Sequence, residues 1–288
     1  MSINWFPGHM AKTRREIKEN LKLVDAVIEI RDARIAYSSS NPDIVDICSE
    51  KPRIILFNKS DLSDSNVTKR WVKELSNEST RVLSVNCLTG VGLNKIKPTL
   101  DELLKVKHDR MKSKGLVNII TRVMVVGIPN VGKSTFINRM AKNNIAKTGD
   151  RPGVTKSKQW IKTKMGIELM DTPGVLWPKF EDEEVGLNLA FTGAIKDEIM
   201  DIEELALKLI ERLQISNGNR LKERYKLNEL DENPLVNMDN IAKKRGAIIS
   251  GGNIDYNRIA VMLLDEFRGG KLGPISLEAP NTKKENEE

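Results

Sequence analysis

The sequence predicts an α/β fold, a doubly wound and mainly parallel sheet, followed by a smaller all-helical domain. Three observations carry this. Five short β-branched or apolar runs alternate with helical patterns between Val24 and Met170. A glycine-rich pattern beginning at Gly127 joins one of those runs to a helical stretch. Beyond Pro178 the strand pattern stops, and apolar residues recur at helical spacing.

Taken in order, the runs are Val24–Ile30, Arg53–Phe57, Arg81–Val85, Arg122–Val126 and Gly166–Met170. Each is nearly continuous in apolar or β-branched residues, as strands covered on both faces are. In such sheets ligands lie beyond the carboxyl ends of strands, so the residues following each run are where chemistry is expected. Lys105 to Lys114, between the third and fourth runs, reads either as a basic recognition patch or as a solvated helix, the commoner case. Past the acidic stretch Glu181 to Glu184, Asp201 followed by Glu204 marks a helix start, and Ile202, Leu205, Leu209 and Leu213 keep its spacing. Ile259, Met262 and Leu263 lie on one face of a second helix, Tyr256 to Phe267. The expected domains are residues 1–178 and 179–282, joined by a proline-containing linker, with 283–288 a polar, disordered tail.

Composition narrows the classes. The 288 residues are enough for about two domains with cores of their own. Cys48 and Cys87 are the only cysteines and have no His/Cys cluster around them, which excludes a disulfide scaffold or structural zinc site. No apolar run approaches the ~20 residues of a membrane span, and the N-terminus lacks the pattern of a signal peptide, so a cytoplasmic protein with no membrane partner is expected. Lys plus Arg is 47 against 40 Asp plus Glu, a net +7 that favours polyanion partners.

Gly127-Ile128-Pro129-Asn130-Val131-Gly132-Lys133-Ser134 matches G-x-x-x-x-G-K-[ST] between a strand and a helix. Successive N–H groups of such a loop, from Asn130, Val131, Gly132, Lys133, Ser134 and Thr135, converge on phosphates. The Lys133 ammonium reaches the β- and γ-phosphates, and the Ser134 hydroxyl can ligate Mg²⁺. Asn58-Lys59-Ser60-Asp61 follows the second run. There the Asp61 carboxylate can accept both the N1–H and the N2 amino protons of guanine, a donor pair adenine lacks, so the substrate expected is GTP. Taken alone, this tetrapeptide also reads as a surface turn. Asp171-Thr172-Pro173-Gly174 follows the fifth run: Asp171 can hold Mg²⁺ through water, and the Gly174 N–H can meet the γ-phosphate. Thr155 lies between the two phosphate motifs, where its hydroxyl can join Mg²⁺ in a switch.

These motifs resemble those of translation-factor-class GTPases, but Asn58 precedes Gly127, the order of circularly permuted GTPases. With Trp5-Phe6-Pro7-Gly8-His9-Met10 at the start and Gly251-Gly252 and Phe267-Arg268-Gly269-Gly270-Lys271-Leu272-Gly273 near the end, the sequence is similar to the ribosome-biogenesis GTPase A family over almost its whole length. The resemblance implies a second base-contact loop at Ser84 to Leu88, with Asn86 and Cys87 as its contacts. Val85 departs from the usual Ser-Ala-x form, and a buried structural Cys87 stands as the alternative. Val175 and Leu176 occupy the place where many GTPases carry a water-orienting Gln. The resemblance gives that role to His9, although a lone histidine is more often a surface or packing residue. It also implies K⁺ at Asn130, supplying the charge of an arginine finger. The job implied is late assembly of the large (50S) ribosomal subunit as a monomer, without DNA, by binding ribosomal RNA and leaving after hydrolysis. Lys243, Lys244, Arg245, Arg258, Arg268 and Lys271 are the candidate RNA contacts. The competing readings are an ATPase with an accidental Asn-Lys-x-Asp and a nucleotide-gated RNA-binding module whose hydrolysis is incidental.

Overall fold

A computed structural model describes residues 7–116, 119–141, 160–174, 176 and 182–280, with side chains from residue 14 onward. The chain divides into two compact units, Met1–Glu181 with Ser276–Glu288, and Asp182–Ile275.

In the first unit the chain runs α1 (Pro7–Leu21), β1 (Ala26–Asp32), α2 (Pro42–Ile47), β2 (Arg53–Asn58), α3 (Ser65–Leu75), β3 (Thr80–Ser84), α4 (Ile96–Leu103), α5 (Lys105–Ser113), β4 (Thr121–Gly127), α6 (Lys133–Met140), β5 (Trp160–Lys162) and β6 (Ile167–Asp171). The sheet order is β3-β2-β1-β4-β6-β5. Every pairing is parallel except that of β5 with β6. The five expected runs thus became five parallel strands. β5 is an addition: three residues at a sheet edge are too few for a periodic signal.

All of β1 is buried, including Glu29 and Arg31. These two satisfy each other through bonds of 2.7 and 3.0 Å from the Arg31 guanidinium, and Arg53 from β2 adds a third at 3.3 Å. On one face of the sheet, Ile17 and Leu21 of α1 pack with Val27, Ile44, Met124 and Val126. Another apolar cluster joins Ile55, Phe57 and Val82 to Ala33, Ala36 and Trp71 of α3. β1 and β4 are neighbours, yet their outgoing connections lead to opposite sides of the sheet. Their carboxyl ends, Asp32 and Gly127, therefore flank the crevice where this architecture binds ligands.

The chain's last described segment belongs to this unit. Leu277 N–H donates to the Arg34 carbonyl (2.9 Å), and the Glu278 carboxylate accepts from the backbone N–H groups of Tyr37 (2.8 Å) and Ser38 (3.1 Å). Asp64 N–H donates to the Ser276 hydroxyl at 3.1 Å, and the Trp71 indole to the Glu278 carbonyl at 3.3 Å. The sequence reading runs the helical region on to residue 282, but the division by contacts ends the second unit at Ile275. The polar tail, 283–288, lies outside the described residues.

The second unit contains α7 (Glu183–Phe191), α8 (Ile202–Tyr225), α9 (Pro234–Arg245) and α10 (Tyr256–Arg268). Asp201 caps α8 as its sequence predicts, its carboxylate accepting from the N–H groups of Glu203 and Glu204 at 3.0 Å. Leu205, Leu209, Leu213, Met238, Ile241, Ile259, Leu263 and Phe267 form the buried side of these helices. Asn217 (φ −142°, ψ 34°) bends α8.

Candidate functional site

The phosphate-loop sequence folds as the turn its glycines require. Gly132 has φ +95°, and a Cβ there would collide with the Asn58 amide, so this position needs glycine for space as well as for backbone. Gly132 opens α6, whose first residues are Lys133, the exposed Ser134 and the half-buried Thr135. Val131 is buried and Asn130 is exposed. Asn130 adopts φ +59°, in the left-handed region that non-glycine residues rarely enter.

Asn58, at the end of β2 and 4% exposed, joins three segments. Its amide donates to the Val131 carbonyl at 2.7 Å and accepts from the Cys87 N–H at 2.9 Å. Lys59, also left-handed at φ +56°, donates to the Asn130 carbonyl at 2.9 Å. Two of the three non-glycine residues with positive φ among the described residues thus touch each other, a concentration of strain that marks functional sites. Ser60 N–H bonds the Val85 carbonyl (3.2 Å), which anchors the turn presenting the exposed Asp61.

The loop after β3 is joined to the same tetrapeptide. The Asn86 side chain donates to the Asp61 carboxylate at 2.7 Å, while its oxygen accepts from Leu88 and Thr89 N–H at 2.9 Å. Cys87 meets Asn58 through its backbone, and its thiol is buried, which pushes its pKa up to about 12. Both Asn86 and Cys87 therefore contact the Asn-Lys-x-Asp turn.

Sequence reasoning passed over Asp32 and Arg34, although both follow the first strand, where chemistry was expected. Asp32 lies 3.0 Å from the Lys59 ammonium and 2.8 Å from the Arg34 guanidinium. Burial alone would raise the Asp32 carboxyl. The two cations outweigh it and hold the group well below the usual carboxylate range. The Lys59 ammonium is thus held between the Asp32 carboxylate and the Asn130 carbonyl.

Across the crevice, the Lys133 ammonium donates to the Thr172 carbonyl and lies 3.5 Å from the Asp171 carboxylate. The Thr172 hydroxyl bonds the Val125 carbonyl at 2.7 Å, tying the end of β6 to β4. Gly174 packs on the phosphate loop so closely that a Cβ would stand 3.2 Å from the Pro129 nitrogen. Ser134 and Asp171 are both exposed, and their hydroxyl and carboxylate are hard oxygens of the kind Mg²⁺ takes while keeping several of its waters. No group of three or more His, Cys, Asp or Glu among the described residues offers an all-protein metal site. Thr155, Val175 and the His9 side chain lie outside the described residues. Leu176 is buried, 4% exposed.

Three of the candidate RNA contacts have internal partners, among them Arg258, which donates to the Gly246 carbonyl at 3.2 Å. Arg268 pairs with Asp197 at 2.7 Å and donates to the Phe191 and Ala190 carbonyls. Arg245 lies over the Tyr225 ring and 3.6 Å from Glu266. Lys243, Lys244, Arg258 and Lys271 are exposed.

The arrangement joins the glycine-rich loop, the Asn-Lys-x-Asp turn and the loop after β3 through Asn58. A family described as 50S ribosome-binding GTPase matches residues 122–240, beginning in β4 and so excluding Asn58. A ribosome biogenesis GTPase A from Bacillus licheniformis is 52% identical, over 97% of this chain and 99% of that protein. Its namesake from Bacillus pumilus is 50% identical, over 98% and 100%. The GDP-bound structure of TM YlqF is 28% identical and covers 92% of this chain and 99% of its own, with a TM-score of 0.62.

Proposed function

The chain belongs to the ribosome biogenesis GTPase A family, and on that premise we propose that its GTP hydrolysis times a late step in the assembly of the large (50S) ribosomal subunit. The protein is a circularly permuted GTPase. It binds precursor ribosomal RNA in the cytoplasm as a monomer and leaves after hydrolysis. The observation that carries the nucleotide part is Asn58, which joins the base-reading turn, the phosphate loop and the loop after β3 in one set of bonds. The ribosomal part is supported by relatives named for ribosome biogenesis across almost the whole chain.

Asp61 reads the guanine edge, with Asn58, Lys59 and Ser60 positioning it and the Asn86–Cys87 loop closing over the base. Asn130 to Thr135 cradle the phosphates, with Lys133 on the β- and γ-phosphates and Gly174 on the γ-phosphate. Ser134, Asp171 and Thr155 would hold Mg²⁺, which would supply positive charge against the phosphates. Neither Val175 nor Leu176 can hydrogen-bond a water, and the family resemblance gives the orienting of the attacking water to His9. Asn130 would hold K⁺, which would supply positive charge in place of an arginine side chain. On the second unit, the exposed Lys243, Lys244, Arg258 and Lys271 contact RNA backbone.

The test is GTP and ATP turnover in Mg²⁺ with K⁺ or Na⁺, with and without purified large subunits. GTP turnover that rises severalfold with the subunit, resists equimolar ATP and needs K⁺ is the expected result. Displacement by ATP removes the guanine assignment, no response to the subunit removes the ribosomal one, and equal rates in Na⁺ remove K⁺. If His9→Ala abolishes turnover while release from the subunit in cells continues, hydrolysis is incidental to a nucleotide-gated binding module.

A further inference from the structure

The helix α5 has an unusual surface. None of its nine residues is buried. It touches the rest of the first unit along a narrow seam formed by Leu104 at its start, His108 and Met111. Two polar ties fix it: His108 Nε2 lies 3.4 Å from the Thr121 hydroxyl, and Lys107 pairs with Asp25 at 2.5 Å. A helix this short is marginal in water by itself.

At 100° per residue, Lys105 and Lys112 fall on one flank of the seam, Lys107 and Lys114 on the other, and Arg110 on the outer side. From Lys105 to Lys114 there are five cations and one carboxylate, so ten residues carry +4 of the chain's net +7. Lys105, Arg110, Lys112 and Lys114 are exposed, and none has an ion-pair partner among the described residues. That contrasts with Arg245 and Arg268, which face carboxylates in the second unit.

We propose that α5 with Lys114 is an RNA-backbone contact carried by the nucleotide-binding unit, separate from the basic residues of the helical unit. Charge complementarity selects the partner. Lys105 and Lys112 are about 10 Å apart along the axis, which suits a row of phosphates better than one compact acidic site. The exposed apolar residues here, Val106 and Leu116, form no stripe that would enter a lipid surface. The inference rests on the ribosomal reading above for the source of the RNA.

The test uses the full chain with Lys105→Gln, Arg110→Gln and Lys112→Gln together, and a second variant with glutamates at the same positions. Lys107 is left to hold Asp25. Affinity for large-subunit ribosomal RNA is measured against salt concentration, with GDP affinity and far-UV helicity confirming the fold. Each lost phosphate contact flattens the log–log salt slope by about 0.7–0.9, so the glutamine variant should lose about 2 from the slope and bind at least tenfold more weakly at 0.1 M salt. The glutamate variant should be weaker still. Wild-type protein that binds no ribosomal RNA overturns the RNA part of the proposed function and this contact with it. Wild-type binding with an unchanged slope in both variants overturns this contact alone. Variants that keep RNA binding but no longer bind anionic phosphatidylglycerol vesicles that the wild type binds would replace it with a lipid surface.

Discussion

Asn58→Ala should destabilise the first unit even without nucleotide, because both bonds of the Asn58 amide go to protein. The substitution leaves the carbonyl of Val131, a residue 2% exposed, and the N–H of Cys87, 1% exposed, without their partners. A buried polar group stripped of its partner costs about 1–3 kcal/mol, so the pair should cost about 2–6 kcal/mol, with about 4 as a working value. At a urea dependence of about 2 kcal/mol/M this moves the midpoint down by about 2 M. Trp71 and Trp160 lie in the first unit and the sequence of the second, 182–275, has no tryptophan, so intrinsic fluorescence follows the first unit's transition separately from the helical one. The assay is urea unfolding by fluorescence in nucleotide-free protein, repeated with saturating GDP. An unchanged nucleotide-free midpoint with a large loss of GDP affinity would refute the reasoning, because Asn58 would then act on the ligand alone.

Other outcomes follow from the same geometry. Asp61→Asn replaces an acceptor of two guanine protons with a mixed donor and acceptor, so GTP binding should fall at least a hundredfold while xanthosine triphosphate binding rises, as read by competition. Asp32 is charged in the folded state to well below the usual carboxylate range, so its stabilisation is complete above the unfolded value of about 3.9 and is lost as pH falls toward its folded value. Asp32→Asn should therefore lower stability at pH 7 by about 3–5 kcal/mol, by removing the buried carboxylate that faces the Arg34 and Lys59 cations, and flatten the acid limb of the fluorescence-monitored stability curve below about pH 4. Burial pushes the Cys48 and Cys87 thiols up to about 12, so both should resist Ellman's reagent at pH 8 until urea unfolds the unit. Fast labelling of Cys87 in folded protein would place it at an open edge of the base loop instead.

The parallel strands are legible because both faces of the sheet are covered, so Ile54 to Phe57 and Val123 to Val126 read as continuous apolar runs. The phosphate loop and the Asn-Lys-x-Asp turn are legible because their chemistry admits few residues, as the space around Gly132 shows. Asp32 was not legible. An Arg-Asp-Ala-Arg stretch reads as surface charge until the fold brings Lys59 to it from a second strand. The strand-end rule applied to β1 as it was to β2 would have found it. Arg268 shows the opposite limit: its charge reads as an RNA contact, and only the fold reveals that Asp197, 71 residues away in the chain, accepts from it. The edge strand β5 and the helix α9 carry too little periodicity to be called from pattern alone.

The bonds of Ser276 to Glu278 place contacts of the first unit on the far side of the helical unit's sequence. A chain emerging from the ribosome at about 5–20 residues per second needs about 5–20 s to pass from Glu181 to Glu278. During that interval the nucleotide-binding unit has its sheet but lacks the segment that bonds the backbone of Arg34, Tyr37 and Ser38. The helical unit is synthesised whole inside the gap. The order of completion is therefore set by topology: the unit that begins first is closed last, after its neighbour has already been made.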